Sequence, residues 1–252
     1  MAEGKREKSW QAGPLRIRVT MPGEPGPAVP KERLTVERIV DAAMALMAEQ
    51  GYDAVSMRSL AKALDTGPAS LYAHVANKEE IEQLVIDRIA ARLEIPEPDP
   101  ERWMEQLKQV LRDTLDLYRQ YPGSARAAVA MIPTEMGAMR TMEGMLALCM
   151  AGGISPQAAA WFCDLSSLYV TSIAVEEAIW VERINSTPAG EEPDHAAIDV
   201  QLRSFMESLP ADRFPLVTSM AGVMVAGEGP ERFEFGLDVL LAGLAAVSEK
   251  YA

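Results

Sequence analysis

The sequence predicts an all-α protein in which a short helix-turn-helix module precedes a larger helical domain. Three observations carry this. Apolar residues recur at helical spacing along most of the chain after residue 34, with Ser, Thr, Asn or Pro where helices should start and Gly or Pro where they should stop. One stretch, Ser56 to Lys78, packs two short helices around a tight turn. The composition, 48% hydrophobic and 24% charged over 252 residues, suits a globular chain able to bury a sizeable core.

In the central stretch, Met57, Leu60, Ala61 and Leu64 fall at i, i+3, i+4 and i+7 and form one helix stripe. Asp65-Thr66-Gly67-Pro68 supplies a stop and a restart, with Gly67 expected to take the backbone angles of the turn and Pro68 the first position of the next helix. Leu71 and Val75 of that second helix pack inward and Ser70, Tyr72 and His74 face out. About eight residues at ~1.5 Å rise cover about 12 Å, roughly the width of a DNA major groove. An ordinary helical hairpin in a core is the other reading of the pattern.

The remaining elements follow in order. Met1 to about residue 33 is rich in Pro and Gly and mildly basic, an arm with too little apolar surface to order itself. Its Lys5, Arg6, Lys8, Arg16 and Arg18 either touch DNA or belong to an untethered leader. Thr35 caps a helix over about 36–50 with Ile39, Ala43, Leu46 and Met47 inward, ended by Gly51. Asn77 and Glu80 start a fourth helix carrying Ile81, Leu84, Val85 and Ile89. Asp99-Pro100 opens a long helix with Trp103, Leu107, Val110, Leu111, Thr114, Leu115 and Tyr118 in its stripe. Short helical text follows Gly123, and a Met-rich helix follows Pro133-Thr134 as far as Gly152-Gly153.

Ser155-Pro156 begins the longest helix, to about Asn185, apolar on two faces: Trp161, Leu165, Leu168, Val175 and Ile179 on one, Phe162, Tyr169, Ile173 and Trp180 on the other. It must therefore touch two things. A helix with Leu202, Phe205 and Leu209 comes next, then a less regular stretch from Arg213 to Gly229. Pro230 opens a last helix with Phe233, Leu237, Leu240, Leu241, Leu244 and Val247 on one stripe and Gly236 and Gly243 seven apart. The domain division expected is 1–33 arm, 34–79 reading module and 80–252 regulatory and dimerisation domain.

Charge and chemistry narrow the function classes. The net charge is −13, yet residues 1–80 hold eleven basic and eleven acidic residues, so the whole acidic excess lies further along. Screening over about 8–10 Å lets Arg58, Lys62 and Lys78 hold phosphates while a distant domain stays acidic. Cys149 and Cys163 lie in apolar helical text and read as reduced thiols rather than a disulfide or metal site. No metal and no cofactor is expected. No phosphate loop, nucleophile elbow or metal spacing is present, and the pairs Glu79/Glu80, Glu176/Glu177 and Glu191/Glu192 are adjacent and diverge on helices, so no catalytic residue is assigned. His195 falls in a polar loop. No apolar run of membrane-spanning length and no signal peptide was read, which makes the cytoplasm the expected compartment.

The residues LYAHVANKEEI closely resemble the end of the helix-turn-helix of the tetracycline-repressor family of bacterial regulators, and the likeness extends upstream through IVDAAMALMAEQGYDAVSMRSLAKAL, roughly Thr35 to Ile89. The resemblance implies a dimeric transcriptional regulator, a repressor released from a palindromic double-stranded DNA operator by a small ligand. It implies that Ser56, Met57 and Arg58 begin the DNA-facing second helix. Pro68, Ala69, Ser70, Tyr72, Ala73 and His74 would line the recognition helix, and Lys78 would hold phosphate. Pro68, Ala69 and Ala73 offer only apolar contact where family members often carry polar residues. The Met-rich helices suit either a cavity for an apolar ligand or a plain core. The residues expected to line such a cavity are Trp103, Leu107, Met131, Met139, Met142, Trp161, Leu165 and Tyr169. Ile173, Ile179, Trp180, Phe233, Gly236, Leu237, Leu240 and Leu244 are expected at a homodimer interface, which the family builds as an intersubunit four-helix bundle. Two rival readings are a helical ligand-binding or catalytic protein with a vestigial reading module, and a DNA-binding regulator without an inducer.

Overall fold

In a computed structural model, residues 33–129, 134–185, 195–227 and 229–251 are described, and every regular element among them is helical. The N-terminal arm, Met131 and the 187–194 loop lie outside the described residues, as does the side chain of His195. Thr35–Ala252 forms one compact unit.

Helix α1 (Val36–Gln50) starts where Thr35 accepts the Arg38 N–H and ends at Gly51, whose φ of 83° only glycine adopts without strain. Its inward face is Ile39, Val40, Ala43, Met44 and Met47, with Leu46 half-buried. Helix α2 (Met57–Ala63) is held by a reciprocal cap between Ser56 and Ser59, and Leu60 and Ala61 are its buried residues. It ends in a Schellman arrangement, with Thr66 N–H donating to Ala61 C=O and Asp65 N–H to Lys62 C=O. Here the structure corrects the sequence reading. Asp65, with φ of 48°, carries the left-handed turn residue, and Gly67 is extended at φ −90° as the cap of α3 (Pro68–Leu71). Asp tolerates that region because its short polar side chain bonds locally.

The second helix is also shorter than expected: after Leu71 the chain tightens, with His74 N–H donating to Leu71 C=O three residues back. Helix α4 (Lys78–Ala90) begins where the Asn77 side chain accepts the Glu80 N–H, while Glu80 reaches back to the Ala76 N–H.

The larger helical part is built on α5 (Trp103–Gln120), α6 (Ser124–Ala128), α7 (Met136–Ala151), α8 (Pro156–Asn185) and α11 (Gly229–Val247). Its core joins Leu107, Leu111 and Leu115 of α5, Leu148 of α7, Phe162 and Val170 of α8, and Phe233, Leu237 and Leu241 of α11. Helix α5 starts three residues later than Asp99-Pro100 suggested, because the Asp99 carboxylate caps the Glu101 N–H in a separate turn. Forked ion pairs brace it, Arg112 to Glu234 of α11 and Arg119 to Glu177 of α8. Helix α8 is long and apolar, and its buried apolar residues, among them Ala159, Phe162, Val170 and Ala174, belong to this core.

The stretch read as irregular contains a helix, α10 (Pro215–Met224), which packs along α9 (His195–Glu207). Its run of apolar residues lacks a polar face, so periodicity did not reveal it. Both helices leave large apolar residues exposed, among them Phe205, Leu216 and Val223.

The turn geometry makes a direct stability prediction. A Cβ at Gly67 meets nothing within 4 Å at an ordinary φ, and Ser is a better cap than Gly, so Gly67→Ser should stabilise by up to about 1 kcal/mol in chemical denaturation. At Gly123, with φ of 86°, a Cβ would sit 2.5 Å from Tyr52 Cβ, so Gly123→Ala should cost about 1–3 kcal/mol in the same measurement.

Candidate nucleic-acid interface and ligand cavity

Helices α2 and α3 pack through Leu60, Ala61, Leu71 and Val75, all buried. This leaves Pro68, Ala69, Ser70, Tyr72 and Ala73 exposed around the short second helix, with Tyr72 at 56% exposure and His74 half-buried. Arg58 and Lys62 are exposed on α2, beside the turn. Ser56 is half-buried and its hydroxyl accepts the Ser59 N–H, so it positions α2; Met57 is half-buried too. Lys78 lies across the Tyr52 ring at 4.8 Å and pairs with Glu82 at 3.0 Å. Burial and the Glu82 hydrogen bond push the Tyr52 phenol well above its ordinary pKa. The surface is thus mainly small and apolar, with hydroxyls at Ser70 and Tyr72, an imidazole at His74 and cations at its edge. Such a set makes phosphate bonds and thymine-methyl contacts and few bidentate base pairs.

A cavity of about 440 Å³ opens behind this module, within the size range of small-molecule sites. It is lined by α4 through Gln83, Ile86, Asp87 and Ala90, by α5 through Val110, Leu111, Thr114, Leu117 and Tyr118, by α7 through Ala138, Thr141, Met142, Met145 and Leu146, and by α8 through Cys163, Asp164, Ser167, Leu168 and Thr171. The lining is mostly apolar. Its exposed members include Gln83 of α4, Val129 at the end of α6, Glu135 at the start of α7, Met142 of α7 and Asp164, Ser167 and Leu168 of α8, so the cavity is open to solvent. Inside, Tyr118 hydrogen-bonds Thr171, and burial raises the phenol's pKa, so the ring presents a neutral hydroxyl there.

Of the residues expected in a cavity, only Met142 lines this one among those described. Leu107 is in the core, and the Trp103 indole fills the space that a Cβ at Gly152 would enter, 2.3 Å away. Met139 is exposed, and Tyr169 stacks on Phe233 at 5.7 Å between ring centres. Trp161 and Leu165 face outward, each more than half exposed.

The residues expected at a dimer interface divide as well. Phe233, Leu237 and Leu244 are buried within the protomer, Ile173 and Leu240 pack against the same core, and Gly236 makes room for the Tyr169 ring, whose hydroxyl would lie 2.0 Å from an added Cβ. Ile179 is half-buried and Trp180 is exposed, with Arg183 over its ring at 5.2 Å. What α8 and α11 leave outside is a different set: Trp161, Leu165 and Leu168 with Phe235, Val239 and Val247. The two helices run antiparallel, as Trp161 meets Tyr251 and Tyr169 meets Phe233. Periodicity identified two apolar faces on α8; the fold turns Phe162 and Val170 into the protomer core and Trp161, Leu165 and Leu168 outward. A signal for the cavity did exist: Thr114 and Tyr118 interrupt the apolar stripe of α5 with hydroxyls, and a dry core gives little reason for them.

One contact joins the cavity to the reading module. The N-terminus of α7 docks on α4, where the Asp87 carboxylate accepts the Ala138 N–H at 2.9 Å and Thr141 Oγ1 donates to the Ala90 carbonyl. Gly137 permits the approach, since a Cβ there would lie 2.4 Å from the Asp87 carbonyl oxygen. Helix α4 also packs on α1, with Arg88 paired to Asp41 at 3.2 Å.

Comparison with known proteins agrees with this architecture. Residues 39–85 match the model of bacterial regulatory proteins of the tetR family, and residues 95–248 match the tetracyclin repressor-like C-terminal domain. The chain is 29% identical over 216 residues to the HTH-type transcriptional repressor DrrR1 of Streptomyces coeruleorubidus, covering 85% of this chain and 78% of that one. Among solved structures it is similar to apo ActR from Streptomyces coelicolor, at 37% identity and TM-score 0.76, covering 87% and 98% of the two chains. It is also similar to ActR in complex with actinorhodin, at 36% identity and TM-score 0.76, covering 87% and 99%. With both family models matched and the helix-turn-helix in place ahead of the helical domain, the chain belongs to the tetracycline-repressor family of DNA-binding transcriptional regulators.

Proposed function

We propose that this protein is a homodimeric repressor that leaves a palindromic operator when a small, mainly apolar ligand fills the cavity between α4, α5, α7 and α8. The observation that carries the reading is the double role of α4: Ile86, Asp87 and Ala90 line the cavity while the same helix packs on α1 of the reading module. A ligand that prefers a displaced α4 draws the two reading heads away from the one-turn spacing of about 34–36 Å that a palindrome requires. The ActR complexes with actinorhodin and with (S)-DNPA support a ligand site in this family member. The repressor sign follows the relatives named as repressors.

In this reading Arg58, Lys62 and Lys78 contact phosphates, and Ser70, Tyr72 and His74 reach the groove. Pro68, Ala69 and Ala73 lie against thymine methyls, while Ser56 and Met57 hold α2 in place. The second copy covers the outward apolar residues of α8 and α11, where Gly243, with nothing within 4 Å of an added Cβ, allows a helix to come close. The protein works on DNA in the cytoplasm.

Three experiments test this reading. Tyr72→Ala combined with His74→Ala should abolish the footprint on DNA flanking the gene while sedimentation still gives a dimer; a retained footprint contradicts the reading role. Val239→Arg should convert the dimer to monomers and weaken operator binding with the protomer still folded by circular dichroism; an unchanged sedimentation profile contradicts the interface. Asp87→Ala should shrink the effect of actinorhodin on DNA affinity, typically about 5–150-fold for coupled sites, towards none, with Asp87→Asn retaining part of it. Equal release from the Ala variant and the native protein removes α4 docking from the mechanism.

A further inference from the structure

The cavity wall contains a feature that ligand binding does not use. The chain has two cysteines, and the fold brings them together from neighbouring helices, Cys149 near the end of α7 and Cys163 in the first part of α8. Cys149 is fully buried and Cys163 half-buried in the same core cluster, and both are free thiols. The two thiols are close enough to interact, and Cys163 also lines the cavity. This gives the pair unequal roles. With the Cys149 S–H donating, the Cys163 sulfur is held below the usual thiol pKa despite its burial, while the partner and burial push Cys149 well above it. Cys163 is the thiol that the cavity exposes and so is the nucleophile, and the enclosed Cys149 is the resolving thiol.

We propose that Cys149 and Cys163 form a reversible dithiol–disulfide site, oxidised by a small apolar organic hydroperoxide that enters through the ligand cavity. The Cys163 thiolate attacks the terminal oxygen of the hydroperoxide; the S–O bond forms, the O–O bond breaks, and the alkoxide leaves and takes a proton from solvent to become the alcohol. The Cys149 sulfur then attacks the sulfenic sulfur; the S–S bond forms, the S–O bond breaks, and hydroxide departs as water with the Cys149 proton. Two thiols lose two electrons, and the peroxide bond gains them. A dithiol reductant reverses the reaction by exchange. The apolar lining selects the oxidant: a hydroperoxide with an organic tail partitions into the cavity, and hydrogen peroxide gains nothing from it. The bond would tie α7 to α8 at the wall that Met145 and Leu146 share with Cys163.

The proposal rests on the cavity being open to apolar molecules, so its test has a chemical readout of its own. The full-length protein is exposed to cumene hydroperoxide or to hydrogen peroxide at equal concentration, then alkylated with iodoacetamide and followed by intact mass and peptide mapping. The expected result is loss of two hydrogens with neither cysteine alkylated, faster with cumene hydroperoxide, and reversal by dithiothreitol. Cys149→Ser should stop at a Cys163 sulfenic acid that dimedone traps, and Cys163→Ser should give neither product. Both cysteines still alkylated after exposure, a bond between chains instead of within one, or equal rates with the two peroxides would each overturn the proposal. Thermal stabilisation by actinorhodin in the same protein separates the two readings: stabilisation with both thiols intact contradicts only the disulfide.

Discussion

The docking of α7 on α4 is the constraint on which the arrangement depends. The Asp87 carboxylate supplies an acceptor for one of the donors that the first turn of a helix leaves unpaired, and a negative charge placed there is favoured by the helix dipole. Gly137 removes the Cβ that would hold the two backbones apart. The same carboxylate residue lines the cavity, so a guest large enough to press on Ile86 or Asp87 acts on this contact directly. In the proposed mechanism α4 carries the displacement to α1, against which it packs and whose Asp41 pairs with Arg88. That pair is exposed and contributes little by itself. The rigid body is the helix, and its buried residues Ile81, Val85 and Ile89 hold it to its neighbours.

The reading module was legible in the sequence because each of its signals is local. Thr35, Ser56 and Asn77 cap the helices they were expected to cap, and Gly51 ends α1. Even there the turn was misread: glycine was given the left-handed position that Asp65 occupies, because the Schellman bonds depend on where α2 ends and composition does not state that. The cavity was far less legible. Trp103, Leu107 and Tyr169 sit in apolar stripes like those of the lining residues, and a stripe says that a face is covered without saying by what. Helix α8 makes the point most sharply: its two apolar faces were both visible, yet which one meets α5 and α11 and which one faces out is decided by long-range packing such as Tyr169 on Phe233. Gly236 was read as room for a second chain and is filled by the protomer's own tyrosine.

The chemistry of the two sites differs in a way that fits their tasks. In the proposed reading, the surface around α3 combines small side chains with cations at its edge, so phosphate contacts set most of its affinity for DNA and pairing of two copies supplies much of the rest. The cavity combines thioethers and aliphatic side chains with a few hydroxyls at Thr114, Tyr118, Thr141 and Thr171. Methionines adapt to varied apolar shapes, and the hydroxyls orient a ligand's polar edge. The acidic excess lies beyond residue 80, which in the proposed reading keeps the larger domain off the DNA.

The central claim is that cavity occupancy is transmitted through α4 as a change in the spacing of two reading heads. Pulsed electron–electron resonance between spin labels placed at Glu49→Cys on both protomers, an exposed position near the end of α1 outside the DNA-facing surface, with Cys149 and Cys163 replaced by serine, measures that spacing directly. The account predicts a narrow distribution on operator DNA and a displaced one when an apolar compound that thermally stabilises the protein is bound. Binding of such a compound, seen as thermal stabilisation of the same labelled protein, with the distance distribution unchanged would contradict it.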